Sequence, residues 1–220
     1  MLKKPAFVTD FDGTITGDDF FSYITRRWFD NEALKPWREY LAGQRTHFDA
    51  LNAMFRQLRV PEAELRGFIR RIPVDSCFEK TVSFCRSKNI PVYITSAGCD
   101  YYINILIGNL IEEYGLKLIT NHGEYSPKTG LSMTPPPASS PYYDKSVGIS
   151  KAAIVRGLKR EGYEVVYAGD GPPDLPPAEA ADIVFAKKML LGLCREKKIN
   201  VFAFENFSEI RAYLEEHADV

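Results

Sequence analysis

Residues 6 to 14 read Ala6-Phe7-Val8-Thr9-Asp10-Phe11-Asp12-Gly13-Thr14. The apolar run from Ala6 to Val8 predicts a buried strand. It delivers two carboxylates, Asp10 and Asp12, to its C-terminal end, and Gly13 breaks it. Such a strand end, followed by a glycine turn, is where open α/β sheets place ligands. The turn lets one carboxylate serve as nucleophile and metal ligand while the other serves as acid and base. A polar turn with no chemistry is the alternative for this run alone. A calcium loop is excluded, because its sixth and twelfth positions hold Ile15 and Phe21 instead of Gly and Glu.

Three further strand ends weigh for chemistry. Pro91 to Gly98 is an apolar run ending in Thr95-Ser96-Ala97-Gly98. The Ser96 hydroxyl and the N–H groups of Ala97 and Gly98 suit an anionic oxygen. Ser150 is a good N-cap and places Lys151 in the first turn of a helix reaching about residue 160. A cation there opposes the helix dipole, which an anionic partner would offset. Val165 to Asp174 is a third apolar run, ending in Gly169-Asp170-Gly171-Pro172-Pro173-Asp174. The prolines stiffen this loop and hold Asp170 and Asp174 in a fixed relation.

In this order, each at a strand end, the four stretches resemble the motifs of the haloacid dehalogenase-like phosphohydrolases. The resemblance runs from Phe7 to about Phe204. It implies that Asp10 attacks phosphorus and that Asp12 acts as general acid and then general base. It implies Mg²⁺ held by Asp10, the backbone carbonyl of Asp12, and Asp170. Ser96 and Lys151 would bind phosphoryl oxygens with N–H groups near Gly13 and Gly98, Thr14 would support the loop, and Asp174 would orient Lys151. Four carboxylates facing a phosphate need these cations to offset their charge.

The rest of the chain reads as α/β. Strands are expected at about 6–10, 91–95, 116–120, 164–168, 182–185 and 200–204, with helices between most of them. Glu79 to Ser87, Tyr101 to Tyr114 and Phe207 to His217 carry helical spacing, and a helix is expected to start near Glu179 after Pro176-Pro177. The expected fold is a Rossmann-like parallel sheet in three α/β/α layers with a helical cap inserted after the first strand. Residues 17–72 hold no strand signal and read as four helices, at about 19–29, 31–42, 47–58 and 61–72. The expected core is therefore 1–16 and 73–220, with 17–72 as cap. Within the core, 121–145 reads as a hairpin and a proline-rich connector at the rim of the site.

The cap segment holds nine arginines and a single lysine, Lys35. Arginine forks suit carboxylate or phosphate, so Arg56, or Arg59, is expected to reach a second anionic group on the substrate. The small helical cap resembles the phosphoserine phosphatase branch, and within it the methionine-salvage hydroxyketomethylthiopentenyl phosphate phosphatases. Leu190 to Glu196, followed by Asn206 to Arg211, carries that second likeness. Asp19, nine residues after Asp10, sits where phosphoserine phosphatases carry a substrate-binding carboxylate. Two departures stand out. The arginine that grips phosphoserine falls near Met54, and no cysteine precedes Lys151 between Tyr142 and Ser150.

Composition sets the outer bounds. A net charge of −1 over 220 residues gives no reason to expect nucleic acid. No apolar run approaches the ~18 residues of a membrane span, and Lys3-Lys4 leads straight into a strand, not into a signal-peptide core. A cytoplasmic protein is expected. Its partners would be a small phosphomonoester and, at most, a second copy forming a homodimer. The four cysteines show no ligand spacing and read as reduced thiols. A phosphotransferase using the same aspartyl-phosphate, or a silent binding protein on this scaffold, is the alternative to a phosphatase.

Overall fold

The computed structural model describes residues 3–217, so the outermost residues of the expected core, 1–2 and 218–220, lie outside the described residues. The chain begins with β1 (Pro5–Asp10), followed by four helices: α1 (Phe20–Trp28), α2 (Lys35–Leu41), α3 (His47–Phe55) and α4 (Glu62–Ile69). Then come α5 (Phe78–Ser87), β2 (Val92–Cys99), α6 (Asp100–Tyr114), β3 (Lys117–Ser126), β4 (Gly130–Thr134), β5 (Tyr143–Asp144) and β6 (Gly148–Ile149). The last third holds α7 (Lys151–Arg160), β7 (Glu164–Gly169), a single 3₁₀ turn, α8 (Leu175–Ala180), β8 (Ile183–Ala186), α9 (Lys188–Glu196), β9 (Phe202–Ala203) and α10 (Phe207–His217).

Seven strands form one sheet in the order β4-β3-β2-β1-β7-β8-β9. All neighbours are parallel except β3 and β4. The chain adds strands to one side of β1 and then crosses to the other side with β7. That reversal is the switch point at which strand C-termini form a crevice, and β1 delivers Asp10 and Asp12 there.

Period-two alternation along β1 divides the interior. Ala6 and Val8 face a cluster with Tyr167, Ile154 and Leu190 from β7, α7 and α9. Phe7 faces the opposite cluster with Val82, Phe207 and Ile210, which continues without a break into Ile24, Leu51, Phe55 and Leu65 of the helical insert. The insert therefore shares the hydrophobic core of one sheet face. Burying Phe55, which is 1% exposed, contributes about 2–3 kcal/mol. Polar ties add to this anchoring: Met133 N–H donates to Asn52 Oδ1 (2.9 Å), Val60 N–H to Tyr125 Oη (3.1 Å), and Phe48 N–H to the Ser146 carbonyl (2.8 Å). By contrast α2 has no buried residue.

Three local expectations change. The strand at 116–120 and the hairpin after it are one element, because β3 runs on through Ser126 and pairs first with β2 and then with β4. Glu179 lies near the end of α8, not at its start. Pro176 and Pro177 sit in the first turn, where no intrahelical N–H is needed. The α9 helix fills the connection between β8 and β9, for which no particular helix was named. No helix among the described residues is long and apolar enough to cross a membrane.

Candidate active site

Asp10 ends β1 beside Thr95 of β2, which brings it to the level of Ser96. Gly13 then turns the chain at φ +80°, and a Cβ there would stand 2.3 Å from Asp170 Oδ2, so only glycine lets the first loop pass the fourth. The β2 strand continues past Ser96 to Cys99 with an irregular register between them. Such bulges re-aim side chains beside functional sites. A Cβ on Gly98 would lie 1.7 Å from Tyr102 Oη. Asn121 holds this loop from β3, donating to the carbonyls of Ala97 (2.8 Å) and Gly98 (3.0 Å).

At the centre, Lys151 is buried and donates to Asp10 and to Asp174 (2.7 Å). Burial opposes its charge, but the two carboxylates outweigh burial and hold the ammonium above its usual range. Asp174 also accepts from Tyr167 Oη (2.6 Å) and from the N–H groups of Asp170 (3.0 Å) and Gly171 (3.1 Å). Its burial is thereby overcome, and its carboxyl lies below the ordinary carboxylate range. Asp10 is pushed well above that range, first by burial and then by the charge of Asp174.

Asp12 points the other way. Its carboxylate accepts from Ser96 Oγ (2.7 Å), Tyr102 Oη (2.7 Å) and the N–H of Phe20 (3.1 Å), the first residue of α1. Burial pushes its carboxyl up against these hydrogen bonds, which suits a group that must carry a proton. Asp12 is thus bonded to the insert as well as to the sheet. Thr14 Oγ1 approaches Asp170 Oδ1 at 3.5 Å.

One carboxylate oxygen from each of Asp10, Asp170 and Asp174 lies within 4.8 Å of the others. Hard oxygen donors under mutual repulsion fit a small divalent cation such as Mg²⁺. Asp174 has its acceptor sites taken, so Asp10 and Asp170 are the side chains left to hold one. Lys188 Nζ also reaches this corner, donating to Asp170 Oδ2 (3.0 Å) and to the carbonyls of Gly13 (2.7 Å) and Gly17 (3.1 Å).

These groups open into a cavity of about 490 Å³, a size suited to a small ligand. Its far wall comes from the insert: Phe21, Trp37, Tyr40, His47, Leu51 and Phe55.

The family model for haloacid dehalogenase-like hydrolases matches residues 7–179. The chain belongs to the haloacid dehalogenase-like hydrolase family. Among its relatives is a 2-hydroxy-3-keto-5-methylthiopentenyl-1-phosphate phosphatase of Geobacillus kaustophilus, 32% identical and covering 96% of this chain and 95% of its own. A protein of the same name from Bacillus pumilus is 26% identical over 100% of this chain and 94% of its own. A solved phosphoserine phosphatase, described as a phospho-aspartyl intermediate analogue, shares the fold at TM-score 0.67 with 20% identity, covering 96% of this chain and 99% of its own. This hydrolase is accordingly a phosphoric monoester hydrolase.

The hydrolase brings Asp10, Asp12, Gly13, Ser96, Ala97, Gly98, Lys151, Asp170 and Asp174 together at one end of the sheet. Asp19 stands exposed at the cavity mouth, N-capping α1 in position without a side-chain capping bond. Three expectations are corrected. Arg56 is exposed at the end of α3 and does not line the cavity, and neither does any other arginine of the insert. Several of them pair with nearby carboxylates in solvent, as Arg26 does with Asp18 and Arg45 with Glu39 (2.7 Å each). The Gly98 N–H is not free for a phosphoryl oxygen, because it donates to Ser96 Oγ (2.9 Å). The 121–145 segment lines no part of the cavity and instead holds α3 from behind.

Sequence reading missed Tyr102, Tyr167, Asn121 and Lys188, whose roles depend on which strand end lies beside which. It also missed His47. Burial, reinforced by the charge of Lys151, pushes its imidazole down to about 4. Between pH 6.5 and about 4 the unfolded chain takes up a proton that the folded chain refuses, so this histidine costs stability as pH falls through that window. The loss should reach roughly 3 kcal/mol at pH 4. Urea unfolding of wild type and His47→Gln at pH 7.5 and 4.5 checks it: the variant should gain relative to wild type on acidification. An unchanged difference at the two pH values would mean that His47 titrates normally.

Proposed function

We propose that this hydrolase is a Mg²⁺-dependent phosphatase acting on a small phosphomonoester with a compact apolar tail, through an aspartyl-phosphate on Asp10. The observation that carries the tail is the cavity wall opposite the carboxylates. It is aromatic and aliphatic, and it holds none of the nine arginines of the insert. A phosphoserine carboxylate buried there would lack a bidentate partner. An alkyl or thioether chain would gain about 0.8 kcal/mol per buried methylene. The relatives named for a methylthiopentenyl phosphate point the same way.

In this reading Lys151 and Ser96 orient the phosphoryl oxygens. An oxygen of Asp10 forms a bond to phosphorus as the ester P–O bond breaks, and the Asp12 proton goes to the leaving oxygen. Asp12 then takes a proton from water, which attacks phosphorus and returns the Asp10 carboxylate. Tyr102 keeps the Asp12 carboxyl aimed at the cavity, and Asp174 with Tyr167 fixes Lys151. Mg²⁺, held by Asp10, the Asp12 carbonyl and Asp170, would offset the clustered negative charge and polarise the phosphoryl group. Residues 17–72 form the cap, with α2, which carries Trp37 and Tyr40, as its least anchored part.

The expected result of a phosphate-release screen is Mg²⁺-dependent turnover that EDTA abolishes. Hydroxyketomethylthiopentenyl phosphate should be preferred to phosphoserine by about 100-fold or more in kcat/KM, the scale of a few buried methylenes against an unpaired carboxylate. A preference for phosphoserine, or for a phosphopeptide, would sink the apolar-tail reading. Phosphate passing mainly to added alcohols, not to water, would favour the phosphotransferase.

A further inference from the structure

Within the cavity wall, one side chain breaks the apolar pattern. His47 is the first residue of α3, set behind the N-cap Thr46, whose hydroxyl accepts from Asp49 N–H (3.0 Å). It is only 9% exposed, and its Nδ1 is buried without a hydrogen-bond partner among the described residues. The rings of Trp37 and Tyr40 stand edge-on to it at 5.7 and 5.3 Å, and they offer it packing and no polar contact. The adjoining Phe48 N–H donates to the Ser146 carbonyl, which ties this turn to the turn between β5 and β6.

A buried polar atom left unpaired costs about 1–3 kcal/mol, and native interiors rarely carry one without a use. Packing alone would be served better by Leu or Phe at this position. The imidazole is neutral at physiological pH, so it offers one N–H and one lone pair instead of a charge. It does not answer to the phosphate itself. His47 lines the same cavity as Lys151 and Ser96, on the wall that the insert contributes, and so shares the cavity with the phosphoryl-binding groups.

Resting on the phosphatase reading above, we infer that His47 is a substrate-recognition residue that hydrogen-bonds a hydroxyl or carbonyl oxygen on the substrate's carbon chain, between the phosphoryl group and its apolar tail. The preferred substrate is then not a plain alkyl phosphate but an oxygenated one. The apolar wall selects the tail, and His47 selects the position of the oxygen. A pocket that holds a buried polar group without a protein partner discriminates against the analogue that leaves it unpaired.

The test compares n-pentyl phosphate with 2-hydroxypentyl, 2-oxopentyl and 3-oxopentyl phosphates in Mg²⁺. The readout is the ratio of kcat/KM values within each protein, not any single rate. Wild type should favour at least one oxygenated ester over n-pentyl phosphate by about tenfold, mainly in KM. His47→Phe should bring that ratio close to one, and His47→Gln, which keeps a donor and an acceptor, should restore most of it. A purely structural role would lower all four esters together and leave the ratio intact, which overturns the inference. So would a wild type indifferent to the oxygen. If n-pentyl phosphate and the oxygenated esters alike released no phosphate while a phosphopeptide did, the apolar-tail reading would fall first and this inference with it.

Discussion

Asp10→Asn is expected to reduce phosphate release by roughly 10⁴-fold or more while leaving the fold intact. Asp10 is the carboxylate in which repulsion converges: it is buried, it faces Asp174, Asp170 and Asp12, and Lys151 is the cation that bonds it directly. Replacing its charge with an amide relieves that repulsion and leaves Lys151 its bond to Asp174. The variant should therefore unfold at a urea concentration equal to or above that of wild type. Loss of activity with unchanged or improved stability is the signature of a group kept for chemistry at a cost to the fold. Near wild-type turnover by the variant would remove Asp10 from the nucleophile's place.

Lys151→Met should have the opposite balance. The ammonium is the single cation between two buried carboxylates, its side chain 7% exposed against 5% for Asp10 and 2% for Asp174. Removing it strands both, and breaking a buried pair from one side costs about 3–5 kcal/mol. Activity should vanish and the urea midpoint should fall sharply. Adding Asp174→Asn to Lys151→Met should recover part of the stability and none of the activity, because the amide oxygen can keep the Asp170 and Gly171 N–H bonds, its NH2 can donate to Tyr167 Oη, and one stranded charge is gone. If Lys151→Met unfolded with the wild-type midpoint, this ion cluster would not be what organises the end of the sheet.

The second lysine of the site adds a contrast. Lys188 is 42% exposed at its side chain and bonded to Asp170, so solvent screens it and its removal should matter far less to stability than the loss of Lys151. Two lysines at one site differ in weight because one is sealed in and the other is not.

The sequence by itself determined the sheet and which residues gather at one end of it. Asp10, Ser96, Lys151 and Asp170 each follow an apolar run or a capping residue, and those signals are local: a strand stops where its glycine turn begins, and a helix starts after its cap. In a parallel sheet all such ends lie along one edge, so four local signals converge on one crevice without further information. The helical insert was legible for the same reason, through spacings such as Phe48, Leu51 and Phe55. What filled the space above the crevice was decided only by tertiary structure. Arginine content suggested a charged wall, but charge type does not fix direction. Several insert arginines met nearby acids in solvent, while Trp37, Tyr40 and His47 turned inward. Which face of α3 looks into the cavity depends on its ties to Met133 and Ser146, about 80 to 100 residues away in the chain. Tyr102 and Asn121 likewise meet their partners only because β2 lies beside β1 and β3 lies beside β2. Such contacts follow from packing between distant segments, and no periodicity within a segment encodes them.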